Sequence, residues 1–387
     1  MKRWMLAATC VALLGTAACG GDDQSGDGGT PDTASPPQSP TGTQGSPEPT
    51  SPAPGGECAS VIESLSPRER VAQLLVVGVE PSDPAAAVRL VSDHRVGGIF
   101  IGGNATDLLT GDALEQVQQA AGEVPVSVAV DDEGGRVQRI DELVGSIPSA
   151  RAMAATMTPE EVRQLAVERG EQLSARGVTV DYAPVVDLTD GPANGVIGDR
   201  SFSADPQTAT EYAAAFAEGL SESGVRPVIK HFPGHGRASG DSHQGLVQTP
   251  PLDDLRESDL VPYEDLGVYP DDTEVMVGHL DVPGLTEGEP ASLSPAAYQL
   301  LREDYGYDGV VLTDDLGAMR AISDTYTLDE AVLLAVQAGA DQPLWSAGGD
   351  VAPVIDRLEA AVAEGELPQD RLNEALTRVL TAKGACG

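Results

Sequence analysis

The chain has 387 residues, 41% of them hydrophobic, and a formal net charge of −38. Acidity on that scale excludes nucleic acid as a partner, because such binding needs a basic face. The length admits one large α/β domain after the polar N-terminus is set aside.

Residues 1–18 read as a signal peptide. Lys2 and Arg3 supply the positive start, and the apolar stretch after them is too short to span a membrane as a mature helix. The stretch closes on "TAAC", which resembles a lipobox ending at Cys19, although Thr16 stands where an aliphatic residue is usual. Lipidation of Cys19 is expected, anchoring the protein to the outer face of the cell membrane. The alternative is an ordinary secretory cut near Ala18 and a secreted product. Residues 19–57 are almost all Gly, Asp, Ser, Thr, Pro and Gln, so a disordered linker is expected there, followed by a folded domain over 58–387. Cys58 and Cys386 bracket that domain. In an oxidising compartment such a pair reads as a disulfide, the alternative being two free thiols at frayed ends.

Within the domain, β-branched runs occupy 73–79, 96–101, 124–131, 178–188, 225–232, 274–282, 309–316 and 340–345. Segments with helical spacing separate most of them, such as 159–177 and 208–224. Eight strands with helical crossovers predict an α/β fold, a single (β/α)8 TIM-type barrel. A doubly wound open sheet has the same alternation, since periodicity does not reveal closure. Pro343 makes the eighth strand the weakest.

Polar residues gather where these runs end, and in a barrel those ends share one face. The third run ends at Asp131, followed by "DEGGRVQR" with Arg136 and Arg139. Asp187 and, further on, Arg200 follow the fourth, and His279 and Asp281 lie in the sixth. The densest cluster, "KHFPGHGRASGDSH" (230–243), follows the fifth. It holds three of the five histidines, His231, His235 and His243, and Lys230, the only lysine between Lys2 and Lys383. Asp241 and His243, two apart among glycines, can hydrogen-bond through Nδ1, which leaves the other ring nitrogen free to exchange a proton. His231, His235, Asp241 and His243 also raise a zinc reading, but their spacing matches no compact zinc motif, and the neighbouring lysine opposes a cation. The seventh run ends in Asp314 and Asp315. Asp314 has the placement of a nucleophile, base or ligand, or of a structural cap, and Asp315 is suited to cap the next helix. Lys230, Arg139 and Arg200 with Asp131 suit a sugar or a small anion, the alternative for each arginine being a buried ion pair.

The segments "VDDEGGRVQR", "NGVIGDRSF", "KHFPGHG…DSH" and "PASLSPAAYQLLREDYGYDGVVLTDDLGAM" resemble family 3 glycoside hydrolases of the β-N-acetylglucosaminidase (β-hexosaminidase) branch, in its single-domain type. The likeness runs over about residues 60–383. It implies retaining exo-hydrolysis of terminal β-linked N-acetylglucosamine from cell-wall fragments or chitin-like oligomers. It further implies that Asp314 is the nucleophile, His243 the acid/base and Asp241 its partner, while Asp131, Arg139, Arg200, Lys230 and His231 hold the sugar. No cofactor and no metal are expected, and a monomer is. Two departures stand out: Asp132, where His or Gln is common, and Pro343 in the last strand. Two other readings stay open. Phosphate in place of water as acceptor would make the enzyme a phosphorylase, and loss of catalysis would leave a lipid-anchored sugar-binding protein.

Overall fold

The computed structural model describes residues 56–386; the predicted signal peptide (1–18), Cys19 and nearly all of the predicted linker (19–57) lie outside the described residues. The strands are β1 (Val76–Val79), β2 (Gly98–Ile101), β3 (Ser127–Val130), β4 (Val180–Asp181), β5 (Arg226–Phe232), β6 (Val247–Gln248), β7 (Glu274–Val277), β8 (Leu280–Asp281), β9 (Val311–Asp315) and β10 (Gln342–Trp345). All but β6 and β8 close into a barrel in the order β1-β10-β9-β7-β5-β4-β3-β2. Every pairing in it is parallel, and β1 meets β10 through Val76 opposite Leu344. Closure excludes the open-sheet alternative.

The side-chain period of two accounts for the β-branched runs. Val76, Phe100, Ala129, Val180, Val228, Met276, Leu312 and Leu344, with Tyr182 just past β4, fill the barrel interior. Their neighbours Val77, Ile99, Val128, Ile229, Val275 and Val311 face the surrounding helices. Both faces of each strand are therefore buried. The helix predicted over 159–177 forms as Pro159–Ser174, started by a Thr158/Glu161 capping box. Its neighbour is Pro206–Glu222, capped by Asp205. The two cross at Gly219, where a Cβ would lie 2.3 Å from the Arg163 carbonyl oxygen.

Most elements differ from the sequence reading by two or three residues at an end, and two differ by more. The run 178–188 forms a continuous strand only at Val180–Asp181, because Pro184 has no N–H to donate; on either side of it the Ala183 carbonyl accepts the Val228 N–H and the Val186 N–H donates to the Lys230 carbonyl, both at 2.8 Å. The run 274–282 divides. Its first part is barrel strand β7, after which Gly278 passes close to His231 and the chain leaves the barrel to pair β8 with β6. The first helix, Gly56–Ser64, begins inside the predicted linker, since Cys58 and Ile62 are buried against the terminal helix Gln369–Ala382. Pro343 is accommodated by a register shift between Gln342 and Leu344 against β9. A disulfide joins Cys58 to Cys386, with Cα atoms 4.7 Å apart.

Candidate active site

A cavity of about 590 Å³ opens at the C-terminal ends of the barrel strands. Asp131, Arg139, Arg200, Lys230, His231, His243 and Asp314 all line it, as do Phe100, Tyr182, Met276 and Leu344 from the barrel interior. These seven predicted residues thus reach one space from segments more than 180 residues apart in sequence, and Asp241 holds one of them, His243.

The charged wall is built on β3 and β5. Lys230 points inward from β5 and sits between Asp131, 2.6 Å away, and Glu133, 2.7 Å away. Arg200 clasps Glu133 through two hydrogen bonds of 2.7 Å. Burial pushes the Glu133 carboxyl up, but Arg200 and Lys230 outweigh it and hold the group well below the usual carboxylate range. Burial likewise works against charge on Lys230, and Asp131 and Glu133 reverse it, keeping its pKa above the ordinary lysine value. Arg139 lies 3.7 Å from Asp131, and its buried Nε has no hydrogen-bond partner among the described residues. Asp132 faces away from this wall. It is fully buried, pairs with Arg169 at 2.7 Å and accepts from the Arg139 N–H at 2.7 Å, so it folds the turn that presents Arg139. Arg136 is a structural staple. It binds Asp199 and the carbonyls of Ala193, Gly195, Val196 and Ile197.

Asp314 ends the buried apolar run of β9. Burial raises its carboxyl pKa, yet His231, His279, the Asp315 N–H and Lys230 together hold it below the ordinary aspartate value. It is therefore an anion at neutral pH. Asp315 turns the other way. One of its oxygens accepts from the N–H groups of Gly317, Ala318 and Ser346 at 2.8, 3.0 and 3.1 Å, and the other accepts from the Ser346 hydroxyl. His279 braces the same strand end: its Nε2 donates to the Asp315 carbonyl at 3.0 Å, and the Ser292 hydroxyl donates to its Nδ1 at 2.7 Å. Burial keeps His279 below the usual histidine pKa, in accord with a neutral ring. His231 is oriented by Asp187, whose carboxylate lies 2.7 Å from its Nδ1.

The loop after β5 carries the Asp241–His243 pair. His243 Nδ1 lies 2.8 Å from Asp241 Oδ1, which also accepts the His243 N–H at 3.0 Å. Partial burial opposes ionisation of Asp241, but the bonds from His243 lower its pKa. With Nδ1 engaged, Nε2 is free to exchange a proton. Among the described residues, no group of three His, Cys, Asp or Glu side chains is arranged to hold a metal ion.

One cavity thus offers an anionic carboxylate, a carboxylate-backed imidazole able to exchange a proton, and a cationic wall, the group types that nucleophilic and acid/base catalysis on a polar substrate require. Residues 66–382 match the model of the glycosyl hydrolase family 3 N terminal domain. The chain belongs to glycosyl hydrolase family 3. Beta-hexosaminidase LpqI of Mycobacterium tuberculosis is 53% identical to it over 341 residues, spanning 86% of this chain and 87% of that protein. The solved structure of M. tuberculosis LpqI aligns with a TM-score of 0.81 at 52% identity, over 85% of this chain and 97% of that one. A beta-N-acetylhexosaminidase from Beutenbergia cavernae aligns with a TM-score of 0.75 at 30% identity, over 83% of this chain and 99% of that one.

Sequence reasoning passed over three members of this family 3 site: Glu133, Asp187 and His279. Each ends or follows a strand run, and Asp187 and His279 were visible there without a role. Glu133 had a usable signal. Three cations around Asp131 leave an excess of buried positive charge, which calls for a second carboxylate nearby.

Proposed function

We propose that this family 3 hydrolase is a retaining exo-β-N-acetylglucosaminidase in which Asp314 is the nucleophile and the Asp241–His243 pair is the acid/base. The observation that carries this reading is the placement of Asp314 and the Asp241-backed His243 at one cavity. The names of the relatives support the substrate class. In the first step Asp314 Oδ bonds to the anomeric carbon while the glycosidic C–O bond breaks, and the departing oxygen takes a proton from His243 Nε2. In the second, water attacks the same carbon, its proton passes to Nε2, and the bond to Asp314 breaks. Lys230, Arg200, Arg139, Asp131 and His231 hold the terminal sugar, whose hydroxyls and amide carbonyl suit a wall with both donors and acceptors.

The Cys19 motif supports attachment to the outer face of the cell membrane through a lipid, which would bring cell-wall fragments or chitin-like oligomers within reach. A monomer suffices for this reading, because one chain supplies every residue named.

An assay of a chromogenic β-N-acetylglucosaminide with and without inorganic phosphate tests the proposal. Free N-acetylglucosamine as the product in both conditions is the expected result. N-acetylglucosamine 1-phosphate formed in the presence of phosphate would make the enzyme a phosphorylase, and no turnover in either condition would leave a sugar-binding protein.

A further inference from the structure

The loop at residues 239–248 is fixed at its stem. The Ser239 N–H donates to the Gln248 carbonyl at 2.8 Å, and the Gln248 N–H donates to the Ser239 hydroxyl at 3.0 Å. Gln248 is held in turn by the β6–β8 pairing and by its side-chain bond of 2.9 Å to Asp281. The tip is different. His243 leaves 60% of its side chain exposed and Asp241 28%. Ser242, between them, is 2% exposed and points inward. Its hydroxyl lies 3.2 Å from His235 Nε2 and 3.7 Å from the Met319 sulfur, and its carbonyl accepts the Ala321 N–H at 3.1 Å.

His235 is itself immobilised. Its N–H donates to Asp187 Oδ1 at 2.6 Å, and the other oxygen of that carboxylate lies 2.7 Å from Nδ1 of His231. Burial lowers the pKa of His235, which favours a neutral ring with a single N–H, and its Nδ1 has no hydrogen-bond partner among the described residues. The hydrogen bond of the ring is the one to Ser242.

We propose that His235 and Ser242 are positioning residues, forming a latch that holds the tip of the acid/base loop so that His243 faces the cavity. The latch runs from His231 through Asp187 and His235 to Ser242, so the histidine assigned to the sugar and the imidazole assigned to the proton share one carboxylate as their reference point. The inference rests on the reading of Asp241–His243 as the acid/base. Both also line the cavity, and in this reading neither exchanges a proton with substrate. They act by limiting where Nε2 of His243 lies, and a proton donor displaced by about 1 Å loses much of its effect.

The test compares kcat/KM for β-N-acetylglucosaminides with poor and with activated leaving groups, which differ in their need for a proton. Ser242→Ala is expected to lose about tenfold on the poor leaving group, the value of one ordinary hydrogen bond, and less than about twofold on the activated one. Its thermal midpoint should stay near that of the parent. His235→Ala should show the same selectivity, and the double variant should lose no more than the worse single one. Uniform loss across leaving groups, no loss, or additive losses in the double variant would overturn the latch. His243→Ala serves as the reference. If it too lacks leaving-group selectivity, the acid/base reading fails and the latch with it. If it is selective and Ser242→Ala is not, only the latch fails.

Discussion

Two buried carboxylates, one at each end of the barrel, meet several cations and do different things with them. At the foot, Asp341 precedes β10 and takes Arg302 at 2.6 Å, Arg371 at 2.8 Å and Arg378 at 3.5 Å, along with the Val311 N–H at 3.0 Å. Other donors of Arg302 and Arg371 reach carbonyls of Val336, Gly339, Ala340, Tyr307 and Gly309. At the mouth, Glu133 holds Lys230 and Arg200, but both cations also line the cavity, and the Nε of neighbouring Arg139 has no partner among the described residues. A buried charge cluster becomes structural when its donors close on the chain, and becomes a binding wall when some of them face open space.

The contrast can be broken from either end. The largest effect is expected at the mouth, where Asp314→Ala should lower kcat by on the order of 10⁴-fold while leaving the urea midpoint close to the parent value. Comparable turnover in that variant would remove Asp314 as nucleophile. Asp341→Asn should do the reverse. It leaves three arginines around a neutral side chain, and unfolding free energy should fall by about 3–5 kcal/mol while kcat per folded molecule stays within about twofold. A large drop in kcat at unchanged stability would mean that the foot is coupled to the chemistry.

A smaller effect, in pH dependence, sharpens the comparison. For both Glu133 and Asp341, burial raises the carboxyl pKa and the surrounding cations more than offset it, leaving folded values below the unfolded ones. The unfolded state therefore binds the proton more readily. This stabilisation is fully present above about pH 5 and is lost as the pH falls through the folded values. Urea midpoints should be nearly flat from about pH 6 to 7 as far as these two groups contribute, and should drop below about pH 4. Asp341→Asn should flatten that drop by up to about 1.4 kcal/mol per pH unit. An acid limb of the same steepness in the variant would show that Asp341 is not one of the groups that sets it.

Much of this was readable because barrel strands advertise themselves. With both faces buried, runs such as 96–101 and 309–316 are apolar almost throughout and stop abruptly at polar residues, so strand ends and site residues are found together. Strand length was less readable. The run 178–188 is apolar past the point where Pro184 interrupts pairing, and 274–282 is apolar across a change of sheet, because burial does not distinguish a barrel strand from a segment packed beside it. The supporting residues were least readable. Glu133, Asp187 and His279 act through partners far along the sequence, such as Lys230, His231 and Asp315, and closure of the barrel sets those pairings. The inward turn of Ser242 belongs to the same class, since nothing in "GDSH" tells which of its side chains faces the protein.

The bond between Cys58 and Cys386 makes residues 58–386 a covalent ring. A protease that cuts one exposed loop of a linear chain produces two separable pieces. Here a single cut anywhere between the cysteines only opens the ring, and the two segments stay joined until the disulfide is reduced. Retention of both segments also keeps the opposite halves of the barrel at high mutual concentration, so a nicked molecule can hold its shape where a linear barrel would dissociate. At the proposed location outside the cytoplasm, release of any segment that carries part of the site would thus need two cuts or a reductant.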